Sequence, residues 1–412
     1  PDMKLLYLAH RIPYPPNKGD KIRSFNEVRY LSRRYQTDLI CLADQPEEIR
    51  FKSDLETYCR RVFVHPFDTK LAKIKGLLSL MRGSAISVGY FYHRAVQEMF
   101  DAWVSDTDYD AIICFSSPMA EYLFRSRTLN TSHLTHNTLF IMDFCDVDSD
   151  KWQQYSRQSA FPMNLVYRME YKQLLAYETQ INRKFDHSVF VSRKEAELFY
   201  ELYPQAKNIS VIANGVDYEW FSTRAEAGST PRDLAGMPRP IVGYVGSIAG
   251  WLDYELIVAV ARLMSEVSFV FVGPAEHPGR VQQLQRAQNI FWLGRRAYED
   301  VPAYIKAMDV CTIPFLRGEI AQTTNPVKVF EYFALGKPVV STPLSELEEY
   351  EEERLVLFGD SPAAFAKALR QALAETHDER RTRRVQIAAA HSWRSHAQAF
   401  ITALSNVERA SA

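Results

Sequence analysis

Apolar residues in this chain occur in short continuous runs, and these runs alternate with amphipathic segments of helical length. The runs are nearly continuous in Val, Ile, Leu and Phe, which is typical of strands that are covered on both faces. In chain order they are KLLYLAH, TDLICLA, RVFVHPF, AIICFSS, LFIMDFC, HSVFVS, ISVIA, IVGYVGS, SFVFVG, NIFWLG, VCTIPF, PVVST and RLVLFG. Strands and crossover segments that alternate in this way predict parallel sheets with helices on both sides.

A break after ISVIA divides this pattern into two parts. A chain of 412 residues is too long for one core and fits two domains. Residues 215–240 are rich in Gly, Pro, Ser and charged residues and are predicted to be an inter-domain linker. The predicted fold class is therefore α/β, with two doubly wound, Rossmann-like domains over 1–214 and 241–391. We expect the domains to face each other across a cleft at the carboxyl ends of their strands, where such folds bind ligands.

Composition excludes several classes of protein. With 47% apolar and 24% charged residues, the chain is an ordinary globular protein, and its net charge of −1 does not favour a nucleic-acid partner. No apolar run approaches the roughly 18 residues that a membrane span needs, and the start does not resemble a signal peptide. The five cysteines form no C-x-x-C pair, so we expect buried thiols in a reduced, cytoplasmic protein.

The glycine motifs of common nucleotide-binding proteins are missing from the sequence. Neither G-x-G-x-x-G nor G-x-x-x-x-G-K-[ST] occurs. KGDKIR and GSIAG follow the first strand of each half and are glycine turns without dinucleotide spacing. This pattern argues against a nicotinamide-dependent oxidoreductase.

The stretch TTNPVKVFEYFALGKPVVST carries the clearest candidate chemistry. A helix is predicted to begin at Asn325–Pro326 and to end at Gly336. Lys328 and Glu331 lie three residues apart, so they share one face and lean toward the helix N-terminus. Free amides and an ammonium at that end suit a diphosphate, and a carboxylate one turn deeper suits a ribose diol. The same spacing also fits an ordinary Lys–Glu pair on a helix surface.

These residues resemble those of a known family. NPVKVFEYFALGKPVVST is similar to the signature of GT-B glycosyltransferases, in particular the retaining family 4. Supporting matches are FVSRKEAELFYELYP with ISVIANGVDYEWF, GYVGSIAGWLDYELI, and FWLGRRAYEDVPAYIKAMDVCTIPF. More narrowly, AHRIPYPPNKGDKIRSFNEVRYLSRRY and DFCDVDSDKWQQY resemble sugar transferases encoded with bacterial exopolysaccharide clusters and the PEP-CTERM/exosortase system.

The resemblance covers nearly the whole chain and implies a GT-B fold with sugar transfer from a nucleotide-sugar donor. It leaves open whether the donor is UDP- or GDP-linked. The implied acceptor is a glycan or a polyprenyl-linked lipid, and the implied location is cytoplasmic, extending to the inner face of the cytoplasmic membrane. No metal or other cofactor is implied. In such folds a C-terminal helix, here about 392–412, crosses back to the first domain.

On the donor side, the resemblance implies that Glu331 binds the ribose hydroxyls and that Lys328 helps the helix amides to hold the diphosphate. The implied donor-binding set is Gly246, Ser247, Arg295, Arg296, Thr323, Thr324, Asn325, Pro326 and Glu331. One of the two arginines is expected to face solvent. The sequence departs from the family at Thr323, where a first glutamate is usual, and at Ser247 and Leu252, where Arg and Lys are frequent.

On the acceptor side, the resemblance implies that the loop after the first strand lies over the acceptor and the transferred sugar. The candidate acceptor-binding set is Gly19, Asp20 and Arg23 from this region, together with Asp143, which lies at a strand end that is expected to face the cleft. Arg23 either meets an acceptor phosphate or faces solvent.

The segment DFCDVDSDKW contains four carboxylates, Asp143, Asp146, Asp148 and Asp150. Metal binding is one interpretation, although the Gly and the final Glu of a calcium loop are missing. Helix capping by the later carboxylates is another. Asp146 is the candidate polar group near the acceptor hydroxyl, and Lys328 is the second candidate for catalysis. Retaining enzymes of this fold have no agreed protein nucleophile, so the donor diphosphate itself would take the acceptor proton.

Residues 68–83 alternate bulky apolar residues with Lys70, Lys73, Lys75 and Arg82. Leu71, Ile74 and Leu78 recur at i, i+3 and i+7, which is typical of a helix lying on an anionic membrane surface. A helix that packs on a core and exposes a polar back gives the same pattern.

Two further functions fit the same resemblance. A GT-B sugar-nucleotide epimerase would need a carboxylate or histidine set around the sugar C2. A catalytically idle protein that binds a nucleotide-sugar would keep the pocket and lose part of the sugar contacts, which Thr323 favours.

Overall fold

The computed structural model describes residues 3–16, 19–131, 138–317, 327–376 and 378–411. The chain forms two compact units. Unit 1 comprises Pro1–Ala213 together with His396–Ala412, and unit 2 comprises Asn214–Ser395. Among the described residues, no helix is both long enough and apolar enough to pass through a lipid bilayer.

Within its described residues, unit 1 contains a seven-stranded parallel sheet in the order β3-β2-β1-β4-β5-β6-β7. Its strands are β1 (Lys4–Ala9), β2 (Gln36–Ala43), β3 (Arg61–Pro66), β4 (Ala111–Phe115), β5 (Leu139–Cys145), β6 (His187–Phe190) and β7 (Ile209–Val211). Its helices are α1 (Gly19–Leu31), α2 (Lys52–Leu55), α3 (Thr69–Met81), α4 (Ile86–Phe91), α5 (Arg94–Asp106), α6 (Ala120–Phe124), α7 (Arg127–Thr131), α8 (Asp148–Gln158), α9 (Met163–Lys184) and α10 (Arg193–Leu202).

Unit 2 contains, in its described part, a six-stranded parallel sheet in the order β10-β9-β8-β11-β12-β13. Its strands are β8 (Ile241–Val245), β9 (Ser268–Val272), β10 (Ile290–Gly294), β11 (Val310–Ile313), β12 (Val339–Ser341) and β13 (Val356–Phe358). Its helices are α11 (Tyr218–Ala227), α12 (Tyr254–Leu263), α13 (Pro278–Leu284), α14 (Val301–Ala307), α15 (Lys328–Ala334), α16 (Pro362–Leu373) and α17 (Asp378–Ala390), and α18 (Trp393–Ser411) runs from unit 2 into unit 1.

Both sheets are covered on two faces, as the continuous apolar runs predict. In β1, Leu6 and Leu8 belong to one buried cluster, whereas Leu5 and Tyr7 belong to another. Successive residues of a strand point to opposite faces, so the two clusters lie on opposite sides of the sheet. Each apolar run identified in the sequence forms a strand, and the predicted fold class of two doubly wound parallel sheets is confirmed.

The predicted linker, 215–240, is wrong as a description of these residues, since they are folded into unit 2. They contain α11, where Phe221 and Ala225 are one helical turn apart and both buried. The indole of Trp220 also stacks on the ring of Tyr298, with 5.0 Å between their centroids. The Gly, Pro and charged residues around α11 hide this short apolar face when only composition is considered.

Four cysteines are buried as expected, and the fifth, Cys145, is partly exposed. All five are free thiols. Burial raises the pKa of the Cys59 thiol to about 12 and also raises that of Cys114, so these thiols stay protonated.

Candidate functional site

The strand orders locate the positions where each sheet can bind a ligand. In doubly wound sheets, ligands bind at the carboxyl ends of the strands, where the strand order reverses. That reversal lies between β1 and β4 in unit 1 and between β8 and β11 in unit 2. The loops that follow these strands therefore carry the candidate site residues.

In unit 2, the turn after β8 packs directly against Lys328. Gly246 has φ of 154°, a backbone conformation that residues other than glycine rarely adopt. A Cβ atom at this position would lie 2.2 Å from Cε of Lys328 and 2.9 Å from its Nζ. Gly246 thus lets the ammonium of α15 lie against the backbone of the turn.

The backbone of Gly273 packs closely against the same turn. Gly273 has φ of 147°, and a Cβ atom there would lie 2.0 Å from the carbonyl oxygen of Gly246. The amide of Gly246 donates to the carbonyl of Val272 at 2.8 Å. Two glycines are needed here because two segments of backbone are almost in contact.

Glu331 lies on the same helix, α15, and is 9% exposed. Burial raises the pKa of its carboxyl group, and the nearby ammonium of Lys328 opposes that rise. The Nζ atom of Lys328 lies 6.0 Å from the ring centroid of Tyr244. Backbone, ammonium and carboxylate are therefore gathered in one part of unit 2, and this combination suits a phosphate beside a diol.

The predicted end of this helix at Gly336 is confirmed. Gly336 has φ of 68°, and its amide donates to the carbonyl of Phe333 at 2.9 Å, as expected for a left-handed C-cap. The described part of the helix begins at Lys328. Four predicted donor-binding residues lie outside the described residues, namely Thr323, Thr324, Asn325 and Pro326.

The two candidate arginines after β10 have different environments. Arg296 donates to the carboxylate of Asp233 at 2.8 Å and to the hydroxyl of Tyr304 at 2.7 Å. Arg295 is exposed, and no ion pair of its side chain occurs among the described residues. Of the two guanidinium groups, that of Arg295 is the more exposed.

Sequence reasoning missed Tyr244 at this site. Its hydroxyl donates to the carbonyl of Ser247 at 3.3 Å and would lie 2.7 Å from a Cβ atom at Gly246. Ser247 itself is partly exposed in the turn. Tyr244 lies inside a continuous apolar run, so the sequence gives no signal that distinguishes it from a core residue.

In unit 1, the structure places Arg23 and Asp143 in a buried ion pair. Nε of Arg23 donates to Oδ2 of Asp143 at 2.8 Å, and Nη1 donates to the carbonyl of Ile212 at 2.8 Å. Arg23 also lies 3.2 Å from Oε1 of Glu27. The side chains of Arg23, Glu27 and Asp143 are 2%, 1% and 0% exposed.

This burial corrects both sequence-based alternatives for Arg23, since it neither faces solvent nor presents its guanidinium to an acceptor. Burial alone lowers the pKa of Arg23, but the carboxylates of Asp143 and Glu27 outweigh that effect and the pKa is raised. For Asp143, burial raises the pKa to about 7, and Arg23 opposes the rise. The pair joins α1 to β5 and has the character of a structural contact.

Glu27 connects this ion pair to two more buried groups. It accepts a hydrogen bond from the hydroxyl of Tyr7 at 2.6 Å and lies 2.9 Å from Nε2 of His396. Nδ1 of His396 is 2.9 Å from the carbonyl oxygen of Ala213. This network ties the start of α18 to the sheet of unit 1, and the sequence offers no local pattern that predicts it.

Asp20, at the start of α1, joins a polar cluster at the end of β1. It accepts from Arg11 at 2.8 Å and lies 3.5 Å from Nε2 of His10. Burial raises the pKa of Asp20, but hydrogen bonds from His10 and Arg11 outweigh it and the pKa is lowered. Gly19 precedes this cluster, and a Cβ atom there would meet no atom within 4 Å. His10 and Arg11 were missed because His10 is the last residue of the apolar run KLLYLAH and Arg11 follows it directly.

The four carboxylates of DFCDVDSDKW have different protein partners: Asp143 lies within β5 and pairs with Arg23, and the other three follow the strand. Lys151 donates to Asp146 at 2.7 Å and to Asp148 at 3.2 Å, and Gln154 donates to Asp150 at 2.7 Å. Asp146 is about one-third exposed. In the described part of the chain, no three His, Cys, Asp or Glu side chains are grouped so as to hold a metal ion.

Part of unit 2 matches a family of known proteins. Residues 239–375 match the family described as Glycosyl transferases group 1. The "Putative teichuronic acid biosynthesis glycosyltransferase TuaH" of Bacillus subtilis (strain 168) is 31% identical over 192 residues. That alignment covers 45% of this chain and 48% of the relative, so the chain spans about half the length of the curated relative it matches.

Two solved structures are similar over nearly the whole chain. The Anabaena protein HepE in complex with UDP and glucose is 17% identical, with a TM-score of 0.67, and the match covers 98% of this chain and 100% of that one. Sucrose-phosphate synthase of Thermosynechococcus elongatus is 18% identical, also with a TM-score of 0.67, and the match covers 99% and 100%. This chain therefore has the fold of GT-B glycosyltransferases, with two parallel-sheet, Rossmann-like α/β units.

Proposed function

We propose that this protein is a glycosyltransferase that moves a sugar from a nucleotide-sugar donor to a polysaccharide or lipid-linked acceptor in bacterial exopolysaccharide biosynthesis. One observation carries the proposal. Gly246, Lys328 and Glu331 come together within the part of unit 2 that matches Glycosyl transferases group 1. Gly246 lets a ligand approach the backbone closely, Lys328 supplies a positive charge, and Glu331 supplies a carboxylate in the same part of the unit.

Each of these groups has a role with the donor. The amides of the Gly246–Ser247 turn and the ammonium of Lys328 bind the diphosphate, because amide and ammonium donors make strong hydrogen bonds to its oxygens. The carboxylate of Glu331 accepts from both ribose hydroxyls. Arg295 adds charge at the base or the diphosphate. The other donor-binding candidates, Thr323, Thr324, Asn325 and Pro326, lie outside the described residues and stay predictions.

The transfer is proposed to retain the anomeric configuration. As the bond between the sugar C1 and the diphosphate oxygen breaks, negative charge builds on the diphosphate, and Lys328 stabilises it. The acceptor hydroxyl attacks C1 from the side that the diphosphate leaves, and its proton passes to a diphosphate oxygen. Stabilising a charge that develops during the reaction is usually the largest contribution to catalysis. Since Lys328 provides a cation, the proposal requires no metal ion.

Unit 1 is proposed to bind the acceptor. Asp146 follows β5, is partly exposed and is the candidate polar group for the acceptor hydroxyl. Gly19 and Asp20 lie at the start of α1, beside the end of β1, and are retained as acceptor-side candidates. Arg23 and Asp143 form a buried ion pair between α1 and β5, and the proposal gives them no contact with the acceptor.

The names of the similar proteins guide the choice of substrates. TuaH is described as acting in teichuronic acid biosynthesis, which supports a polymeric or lipid-linked acceptor. HepE was solved with UDP and glucose, which makes UDP-glucose the first donor to test. GDP-linked sugars are the second group.

A transfer assay with labelled nucleotide-sugars tests the proposal. Each donor is incubated with the protein and a bacterial membrane-lipid extract, and lipid-phase and free nucleotide-sugar products are separated. We expect label in the lipid or polymer fraction, in the presence and in the absence of EDTA. Lys328→Met is expected to lower the rate by about 10²–10³-fold, the loss typical of removing a donor from a developing oxyanion. Lys367→Met changes an exposed lysine of α16 in the same unit and serves as the control.

The outcomes separate three functions. Transfer that depends on Lys328 supports the proposal. An altered free nucleotide-sugar without transfer would instead identify an epimerase. Nucleotide binding without turnover of any donor would identify an idle binding protein and contradict the proposal.

A further inference from the structure

Helix α3 exposes the apolar residues that an ordinary surface helix would bury. Its buried positions are Ala72, Gly76 and Leu80, which recur every four residues and form one narrow face. A Cβ atom at Gly76 would lie 2.8 Å from Cγ2 of Ile86, so this face packs tightly on α4. The buried face is therefore built mainly from small residues.

The opposite side of α3 is an apolar stripe in contact with solvent. Its members are Leu71, Ile74, Leu77, Leu78 and Met81, and their exposed fractions range from 44% to 78%. The spacing of three and four residues puts them on one side of the helix. Of the two sequence-based alternatives for residues 68–83, the structure excludes a core-packed helix with a polar back.

Basic residues border this stripe. Lys70, Lys73, Lys75 and Arg82 are all exposed. Within 68–83, the only acidic residue is Asp68, whose carboxylate accepts from the amides of Lys70 and Leu71 as the N-cap of α3. At 100° per residue, Lys73 falls on one side of the stripe, Lys75 and Arg82 fall on the other, and Lys70 falls within the stripe at its N-terminal end.

We infer that α3 docks unit 1 on an anionic lipid bilayer surface. The stripe enters the boundary between headgroups and acyl chains, and the flanking ammonium and guanidinium groups bind lipid phosphates. A second copy of the protein fits this surface less well, because lysines are depleted in the cores of protein interfaces. An apolar stripe with lysines along both sides is the arrangement that membrane-surface helices use.

A neighbouring helix presents a second apolar set. Phe161, Met163, Leu165 and Met169 lie at the turn between α8 and α9 and along the start of α9, with exposed fractions from 43% to 78%. Helix α9 contacts α3. Arg157, Arg168 and Lys172 are exposed around this set. The same combination of apolar and basic residues thus recurs beside α3 in unit 1.

Vesicle co-flotation of the full chain tests this inference, which does not depend on the proposed function. Vesicles of phosphatidylcholine alone are compared with vesicles that also contain phosphatidylglycerol. We expect binding only to the anionic vesicles, and weakening of that binding by salt. The variant Leu71→Gln/Ile74→Gln/Leu78→Gln is expected to bind about a hundredfold more weakly or worse, because it removes three apolar side chains from the bilayer.

A second variant tests the basic border. Lys73→Gln/Lys75→Gln/Arg82→Gln is expected to lose about a hundredfold in binding, because each basic residue near an anionic surface contributes about fivefold. Leu263→Gln is the matched control, since Leu263 is about half exposed on α12 of unit 2. The control is expected to bind as the unmodified protein does, and all variants are expected to keep its melting temperature because the changed residues are exposed.

Failure of the unmodified protein to float with anionic vesicles would overturn the inference. Unchanged binding of the apolar triple variant would overturn it as well. Analytical ultracentrifugation tests whether a second copy of the protein binds the stripe instead. A dimer that the apolar triple variant abolishes, in a protein that does not bind lipid, would identify a second copy as the partner.

Discussion

Replacing Arg23 by Met distinguishes a structural role from the acceptor contact that the sequence suggested. The change keeps an apolar stem of similar length and removes the guanidinium. Asp143 would keep a hydrogen bond from the amide of Cys145 at 3.0 Å, and Glu27 would keep its bond from Tyr7. Neither carboxylate would keep its cation, and the carbonyl of Ile212 would lose its donor.

The expected loss is large because all three charged groups are almost completely buried. Removing one partner of a buried ion pair typically costs about 3–5 kcal/mol. Since a whole protein is stable by only about 5–15 kcal/mol, this loss should be evident in urea unfolding. Arg94→Met provides the control in unit 1, because Arg94 pairs with Glu98 on the surface, and such pairs contribute about 0.2–1 kcal/mol or less.

The loss is expected to depend on pH. Burial raises the pKa of Asp143 above its unfolded value, so the folded state binds a proton more strongly and stability falls as pH rises toward about 7. Without Arg23 the pKa rises further, and the variant keeps losing stability at higher pH. The difference between variant and unmodified protein should therefore be larger at pH 8.5 than at pH 6.

Urea unfolding followed by circular dichroism gives the size of the loss, and hydrogen exchange of peptides from each unit gives its location. We expect faster exchange in the strands β1 and β5 and little change in unit 2. If Arg23→Met changes the free energy of unfolding by less than 1 kcal/mol but lowers sugar transfer, the guanidinium serves the acceptor and the structural assignment is wrong.

Two further predictions concern the donor site. Gly246→Ala is expected to lower the melting temperature of the protein, because φ of 154° is strained for alanine and the added Cβ meets Tyr244 and Lys328. In the folded variant, nucleotide binding is expected to weaken by about 10–100-fold as the ammonium is displaced. Titration calorimetry well below the melting temperature measures this, and unchanged affinity would contradict the role of the turn. Arg295→Ala is expected to weaken nucleotide binding by about tenfold. Arg296→Ala should leave nucleotide affinity unchanged and cost at most about 1 kcal/mol of stability through its pair with Asp233. A larger loss of affinity for Arg296→Ala than for Arg295→Ala would show that Arg296 is the arginine that contacts the nucleotide.

Much of the fold could be predicted from the sequence, because buried parallel strands leave an unambiguous pattern. Runs such as IVGYVGS are continuous in apolar residues, and each ends at a turn that the backbone requires. The left-handed C-cap at Gly336 could also be predicted from the sequence, because it depends only on the local backbone conformation that glycine allows. Helix α11 was missed because two buried residues among Gly, Pro and charged neighbours give too weak a pattern.

The partners of polar residues could not be predicted from the sequence. Arg23 and Asp143 are 120 positions apart, and only the pairing of strands brings them together. For Arg295 and Arg296, the deciding neighbour is Asp233, which lies more than sixty positions earlier. The spacing of Leu71 and Ile74 identified an amphipathic helix but could not tell which side is covered, because that depends on α4.

The Glu331 carboxylate is expected to destabilise the folded protein slightly when no ligand is bound. Burial raises the pKa of its carboxyl group, so the charge is unfavourable in the folded state and this penalty is present above the raised pKa. Glu331→Gln removes that charge with little change of shape. The melting temperature without nucleotide should therefore stay the same or rise slightly at neutral pH.

Thermal unfolding with UDP, GDP, ADP and TDP, for the unmodified protein and for Glu331→Gln, tests the nucleotide site most directly. A nucleotide at a hundredfold excess over its dissociation constant stabilises by about 2.7 kcal/mol, so the bound nucleotide is identified by a raised melting temperature. We expect one or more nucleotides to raise it for the unmodified protein and to lose most of that effect in Glu331→Gln. An equal rise in the variant, or no rise with any nucleotide, would contradict the proposed donor site.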